Sequence, residues 1–198
     1  MLSKKQQITK RWFDIIFSFI GLVICFLPIL VLIIISTFST GKFGLYTQWR
    51  VGRNAKLFKI FKIRTMKSPF DEDFITLKDD VRVTSVGKTL RKYHLDELPQ
   101  LLNVFIGDMS FVGPRPDVAG YADLLQGDDR IILSVRPGIT GPATLKFRNE
   151  AEILTKQRDP KLYNDTVIWK AKVKFNKAYV EHWSLLGDLK YIYKTIFT

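Results

Sequence analysis

Apolar and polar positions divide the chain at Gly41. Residues 15–41 run for about 27 positions without a charge, where a spanning helix needs roughly 20. A secretory h-region has about 7–15 residues, and no small-x-small cleavage site follows, so the pattern predicts a retained membrane segment. Basic residues flank it on both sides: Lys4, Lys5, Lys10 and Arg11 before, Lys42, Arg50, Arg53, Lys56 and Lys59 after. Symmetric flanks give a single crossing no preferred orientation. Pro28 stands near the middle and removes one helical hydrogen bond. Each half is then about 13 residues, or about 20 Å, shorter than a hydrocarbon core of about 30 Å. Two forms stay open on these residues: a kinked spanning helix, or a re-entrant hairpin bent at Pro28 with both ends on one face. Arg11 and Trp12 mark the interface where the segment begins.

Beyond Gly41 the patterning is short and mixed. Residues 45–50 and 57–64 predict two strands around a Gly52-Arg53-Asn54 turn. Residues 68–80 are expected to form a polar loop with Asp71, Glu72, Asp73, Asp79 and Asp80, solvated or, as the alternative reading, metal-binding. Residues 86–93 predict a short helix. Leu98, Leu101, Leu102 and Phe105 recur at helical spacing and Gly107 closes that helix. Pro99 falls in its first turn, where a missing N–H costs little, so Asp96 and Glu97 stand at its positive end. Three stiff loops follow: Gly113-Pro114-Arg115-Pro116, Arg136-Pro137-Gly138 and Gly141-Pro142. Ile168, Ala171, Phe175, Ala178 and Tyr179 mark a long helix. Leu185, Leu189, Ile192, Tyr193 and Ile196 mark the last one, with Lys190 and Lys194 opposite; it either lies flat on a membrane or packs on the core. The expected fold is α+β, mainly helical. Residues 1–41 are expected to form a membrane-associated element, spanning or re-entrant. Residues 42–198 form a cytoplasmic domain with a short β-hairpin and interfacial amphipathic helices.

Composition sharpens this picture at two points. With 46% hydrophobic residues the chain is not disordered. Lys and Arg number 31 against 19 Asp and Glu, a net charge of +12, which favours anionic lipid headgroups or phosphorylated substrates. No nucleic-acid recognition motif accompanies the membrane segment. The lone Cys25 lies inside the apolar run, so no intrachain disulfide forms.

The candidate chemistry centres on Asp96-Glu97. Acidic residues also occupy first turns simply as caps, and the cations around this pair give it a second reading. Arg82, Lys88, Arg91 and Lys92 precede it, and Arg115 and Arg136 follow on rigid loops. Arginine forks match phosphate oxygens. One carboxylate can attack phosphorus, and a second can hold Mg²⁺ against a diphosphate. A membrane adaptor that binds anionic lipid without catalysis is the competing reading.

The ordered motifs then resemble a known family. Lys62-Ile-Arg64-Thr-Met66 comes first. Next are Asp80-Val-Arg82-Val-Thr84, Gly87, Leu90-Arg91, Leu95-Asp-Glu-Leu-Pro-Gln-Leu101 and Asn103-Val104. Gly107-Asp-Met-Ser110, Val112-Gly-Pro-Arg-Pro116 and Arg136-Pro-Gly-Ile-Thr-Gly141 complete the series. Together they are similar to the bacterial sugar transferases, the monotopic phosphoglycosyl transferases. The short length and Lys146-Phe-Arg-Asn-Glu150 resemble the minimal bacillosamine-phosphate transferase type, so the extra N-terminal helices of larger relatives are not expected.

That resemblance implies transfer of a sugar phosphate from a UDP-sugar to polyprenyl (undecaprenyl) phosphate, yielding polyprenyl diphosphate sugar and UMP. It implies that Asp96 is the nucleophile and that Glu97 binds Mg²⁺. Lys62, Arg64, Arg91, Arg115 and Arg136 would hold phosphates or nucleotide. It favours the re-entrant anchor bent at Pro28, on the cytoplasmic face of the bacterial inner membrane. Implied partners are the UDP-sugar, polyprenyl phosphate, membrane phospholipid, a second copy in a homodimer and downstream glycosyltransferases, with no nucleic acid. Three positions depart from the family pattern: Leu27 where serine usually precedes the bend proline, His94 where Ser or Thr is common, and Asp117 where an apolar residue is usual.

Overall fold

A computed structural model describes residues 2–67 and 80–197. The expected acidic loop at 68–80 lies outside the described residues apart from Asp80. Helix α1 spans Lys4–Thr40. Ser3 and Gln6 start it with reciprocal side-chain-to-backbone bonds of 3.3 and 2.8 Å, which satisfy amides that the first turn leaves open. Gly41 stops it at φ 70°, its N–H returning to the Thr37 carbonyl. Pro28 lies inside a continuous helix. The hairpin expected at Pro28 therefore does not appear as two separate helices. Leu27 is exposed, and the hydroxyls of Ser18, Thr37 and Thr40 bond within α1 itself, to the carbonyls of Asp14, Ile33 and Ser36.

The two ends of α1 are fixed to the same body. Near its start, Arg11 donates to the carbonyls of Val104 and Phe105 at 2.6 and 2.7 Å, and Asp14 accepts from Ser110 Oγ and the Phe111 amide. Near its end, the Ser36 hydroxyl donates to the Arg64 carbonyl and Ser39 to Thr84 Oγ1 at 2.9 Å. Between these grips Val23, Ile24, Phe26, Leu27, Val31 and Ile34 are exposed. A contiguous apolar surface of this kind marks contact with lipid or another apolar partner.

The strands β1 (Leu45–Val51) and β2 (Leu57–Ile63) pair antiparallel from Leu45↔Ile63 to Val51↔Leu57. Alternation puts Phe58, Ile60 and Lys62 on one face with cross-strand Arg50, Gln48 and Tyr46. Phe58 and Ile60 pack on Val104 and Met109, which turns Lys62 toward the same side of the domain. Helix α2 covers Ser85–Lys92, capped by Thr84 Oγ1 accepting from the Gly87 amide at 2.9 Å. Gly87 presses on Thr65, where a Cβ would stand 2.3 Å from the carbonyl oxygen.

A 3₁₀ turn, Leu95–Glu97, precedes α3 (Gln100–Ile106). The acidic pair thus lies ahead of the helix, not in its first turn. Pro99 has no N–H to donate to the Leu95 carbonyl, so Leu98 closes on Leu95 and the α-helical ladder starts later. Asn103, fully buried, locks α3 to β2: its amide donates to the Lys59 carbonyl at 2.7 Å and its carbonyl accepts from the Phe61 amide at 3.0 Å.

Beside two of the Pro/Gly loops runs a short parallel pair, β3 (Ser110–Val112) and β4 (Gly138–Thr140), which the neighbouring turn residues concealed in the sequence. A Cβ on Gly138 would stand 2.1 Å from the Gly113 amide nitrogen, so this approach requires glycine. Short helices α4 (Pro142–Lys146), α5 (Glu150–Thr155) and α6 (Pro160–Tyr163) lead to α7 (Trp169–Glu181) and α8 (Leu185–Phe197). Of the two expectations for the last helix, packing on the core is met along one side. Tyr191 and Ile192 pack on Val112, Val135, Tyr179 and Val180, whereas Leu186, Tyr193, Ile196 and Phe197 face outward. Asp188 ties α8 to α1. It accepts from Lys10 at 2.5 Å, Tyr179 at 2.8 Å and Trp183 at 2.9 Å.

Candidate active site

The site gathers around the 3₁₀ turn from three other segments. The far end of β2 supplies Lys62, the last turn of α2 supplies Arg91, and the loop after β3 supplies Arg115. Lys62 Nζ lies 3.0 Å and Arg115 Nη2 2.7 Å from Glu97 Oε1. Both cations therefore use the same oxygen. Asp96 is buried, yet its carboxylate makes no hydrogen bond among the described residues.

Neighbouring carboxylates in the sequence are driven in opposite directions. Burial alone would lift Glu97, but Arg115 and then Lys62 overcome it and hold its carboxyl well below the ordinary range. Burial lifts Asp96 above the ordinary range; Lys62 opposes this and the charge of Glu97 adds to it. Arg115 holds its proton more firmly because Glu97 faces it. Burial lowers Lys62, with Glu97 pulling the other way. One carboxylate is clamped as an anion while its neighbour keeps a less stabilised charge. Such divergence separates a holding role from a reacting one.

The five predicted phosphate-binding residues do not all meet. Lys62, Arg91 and Arg115 surround the pair; the Arg91 Nε donates to Thr65 Oγ1 at 2.9 Å, and its guanidinium is lowered by burial and supported by Asp96. Arg64 instead donates to the Phe43 carbonyl at 2.8 Å and lies over the Tyr46 ring. Arg136 donates through Nε to the Gly107 carbonyl at 2.7 Å. With Arg11 it covers the free carbonyls at the end of α3, where cations are favoured. Its charged surroundings are Arg11, Arg53, Asp14 and Asp108. The structure thus sets Arg136 apart from the acidic pair.

Four charged residues that the sequence reading did not assign to the site form its next layer. The Asp117 carbonyl accepts from the Val51 amide at 2.9 Å, stitching the Arg115 loop to β1. Burial pushes the Asp117 carboxyl up to about 6, with Lys172, Arg50 and Arg115 opposing. Arg50 is lowered to about 10 by burial and by the charge of Arg115. Lys172 pairs with Glu150 at 2.7 Å. Strand alternation offered one clue, since Arg50 shares the face of Lys62. Lys172 sits in a helical pattern that any solvated lysine would fit. His94 holds a left-handed φ of 54° and makes no side-chain cap, in keeping with a spacer that turns the chain into the 3₁₀ segment.

Among the described residues no group of three His, Cys, Asp or Glu side chains gathers to hold a metal. Mg²⁺ commonly uses one or two carboxylates and completes its shell with phosphate and water oxygens. Glu97 fits that pattern, because its two cation bonds fall on Oε1 and leave Oε2 outside them. Asp96 adds a second oxygen donor beside it.

Comparison with known proteins gives a family match. The profile described as bacterial sugar transferase matches residues 5–198. The chain is 37% identical over 207 residues to the exopolysaccharide production protein ExoY of Sinorhizobium fredii, covering 96% of this chain and 84% of that protein. It is 32% identical to an undecaprenyl-phosphate galactose phosphotransferase of Salmonella typhimurium, covering 98% of this chain and 41% of the relative. It is 36% identical to a UDP-glucose:undecaprenyl-phosphate glucose-1-phosphate transferase of Klebsiella pneumoniae, covering 97% and 40% respectively.

Proposed function

The chain belongs to the bacterial sugar transferase family, and on that footing we propose that it moves a sugar phosphate from a UDP-sugar to polyprenyl phosphate through a covalent intermediate on Asp96. The observation that carries this reading is the divergence of the two carboxylates. Asp96 is buried beside cations but unclaimed by a hydrogen bond among the described residues, while Glu97 is clamped by Lys62 and Arg115. Relatives named for undecaprenyl-phosphate sugar-phosphate transfer support the acceptor and the reaction class.

In the first step an oxygen of Asp96 bonds to the β-phosphorus of the donor. The bridging P–O bond breaks and UMP leaves with the electron pair. In the second step a phosphate oxygen of the polyprenyl acceptor attacks the same phosphorus. The bond to Asp96 breaks, its carboxylate is restored, and polyprenyl diphosphate sugar departs. Lys62, Arg91 and Arg115 lower the cost of bringing anionic phosphates to an anionic nucleophile. Glu97 would hold Mg²⁺, which when bound neutralises diphosphate charge.

The anchor belongs to the same reading. A plain crossing would place the two grips of α1 on opposite sides of a core about 30 Å thick, yet Arg11 and Ser36 both bond to one domain. That favours a segment that dips into the bilayer and returns, with the catalytic domain on the cytoplasmic face of the bacterial inner membrane. Cysteines introduced at positions 5 and 45 are then labelled from the same side of sealed vesicles. Labelling from opposite sides refutes this topology.

The chemical test uses donor alone. Incubation with the correct UDP-sugar releases one equivalent of UMP and adds one phospho-sugar to Asp96, seen by mass spectrometry of quenched protein. Unmodified protein after exposure to a donor that does support turnover overturns the covalent mechanism. A panel of UDP-sugars with undecaprenyl phosphate, read as UMP, identifies that donor.

A further inference from the structure

A small cavity lies between the first turns of α1 and the loops that carry Arg53, Ser134 and Arg136. Leu2, Gln7, Lys10, Asp14 and Ser110 complete its wall, and its water-sized space is about 20 Å³. Three buried polar atoms with no hydrogen-bond partner belong to residues of this one wall: Asp14 Oδ2, Arg53 Nε and Ser134 Oγ. Asp14 is 1% exposed, and its other oxygen is already used by Ser110 and Phe111. Arg53 donates through Nη2 to Gln7 Oε1 at 2.9 Å, and Arg136 donates through Nε to Gly107. The remaining nitrogens of both guanidinium groups make no hydrogen bond among the described residues. Lys10 is already paired with Asp188.

The demands of these atoms are specific. Two guanidinium groups call for an anion with several acceptor oxygens. Asp14 Oδ2 calls for a proton donor. The space admits a group about the size of one water, so the anion stays at the mouth and only the donor group enters. A phosphate ester with an N–H or O–H donor a few atoms away meets all three conditions.

The cavity lies against the start of α1, where Ile8 and Trp12 are 58% and 62% exposed, at the approach to the apolar stretch. We propose that the cavity lined by Asp14, Arg53, Ser134 and Arg136 binds the headgroup of a glycerophospholipid that bears such a donor, with phosphate on the arginines and donor on Asp14. This site rests on the reading of α1 as a membrane element and is separate from the Asp96–Glu97 cluster. It also gives Arg136 a phosphate partner away from the nucleotide sugar.

Net charge must be kept out of the test, since a chain of charge +12 collects anionic lipid anyway. Phosphatidylethanolamine and phosphatidylcholine are both zwitterionic, but choline has no N–H donor. The full chain is therefore bound to vesicles of each, and lipids retained after detergent extraction are identified by native mass spectrometry. The expected result is retention of one phosphatidylethanolamine at ~10-fold or greater preference over phosphatidylcholine, the scale of one charge-assisted hydrogen bond. Asp14→Asn, which replaces the acceptor with a donor, should abolish that preference. Arg53→Gln should weaken retention of both lipids. Thermal unfolding of each variant identifies any that has simply failed to fold, and Ser134→Ala then supplies a milder lesion with the same expected direction. Equal retention of the two lipids by wild type overturns the site and leaves the membrane reading standing. Failure to associate with any vesicle overturns both. Soluble glycerophosphoethanolamine that displaces the retained lipid at equal concentration overturns the membrane lipid as the source and assigns the cavity to a free phosphate ester.

Discussion

Two buried carboxylates, Asp188 and Asp96, show what separates a joint from a reactive centre. Asp188 meets Lys10 and Trp183 at one oxygen and Tyr179 at the other. Its charge is matched and both its oxygens are bonded, so it fastens α8 to α1 and has little left to offer a substrate. Asp96 is also buried but stands beside cations that are already engaged with Glu97. Burial without matching bonds raises the energy of its charge. The first arrangement favours a fixed geometry. The second keeps an anion that gains by forming a bond to phosphorus.

The comparison is broken most directly at Asp96. Asp96→Asn should reduce turnover by on the order of 10⁴-fold or more, the scale seen when a nucleophile is removed, measured as UMP release. The same variant should be more stable than wild type at pH 8, by denaturation in matched detergent. The sign follows from linkage. A carboxyl whose folded pKa is raised carries a penalty above that pKa and loses it below the unfolded value. The gain from Asp96→Asn should therefore shrink as pH falls toward 4. A less stable Asp96→Asn protein would contradict the picture of a costly charge.

Removing a cation from each site sharpens the contrast. Lys10→Met leaves Asp188 buried with an uncompensated charge and should cost about 3–5 kcal/mol of stability, while turnover per folded molecule stays near wild type. Lys62→Met should cost less, about 1–2 kcal/mol, because Arg115 still holds Glu97. It should lower kcat/KM by ~10- to 100-fold. Equal losses of stability in the two variants would erase the distinction.

A smaller effect is expected at Asp117. Its carboxyl is raised to about 6, so its ionised form destabilises the fold above about pH 6, and the penalty disappears below the ordinary carboxylate range. Asp117→Asn should add about 1–2 kcal/mol of stability at pH 8 and almost nothing at pH 4. A pH-independent difference between the two proteins would mean that charge is not the cause.

Local signals foretold much of this molecule. Alternation marked the β-hairpin, helical spacing marked α3, α7 and α8, and the order of motifs pointed to Asp96, Glu97, Lys62 and Arg115. What escaped depends on contacts between distant segments. Lys10 and Asp188 lie 178 positions apart, and each alone looks like an ordinary surface charge. Asn103 appears as one polar residue within a helix until β2 is placed beside it. The β3–β4 pair was hidden because its glycines, needed for close backbone approach, are also the residues of turns. Arg136 followed a phosphate-binding motif, but the position of the α3 carbonyls decides where its side chain goes. Pro28 predicted a bend, and helical backbone runs through it without interruption.

The double attachment of α1 has a mechanical consequence. A rod clasped at two places by one body cannot slide past it. Removing a full turn between Leu22 and Ile35 would shorten the free span by about 5.4 Å, and that strain must either tilt the whole domain or tear open a clasp at Arg11 or Ser36. The length of this bare stretch is therefore a ruler, and the domain's height and attitude are read from it.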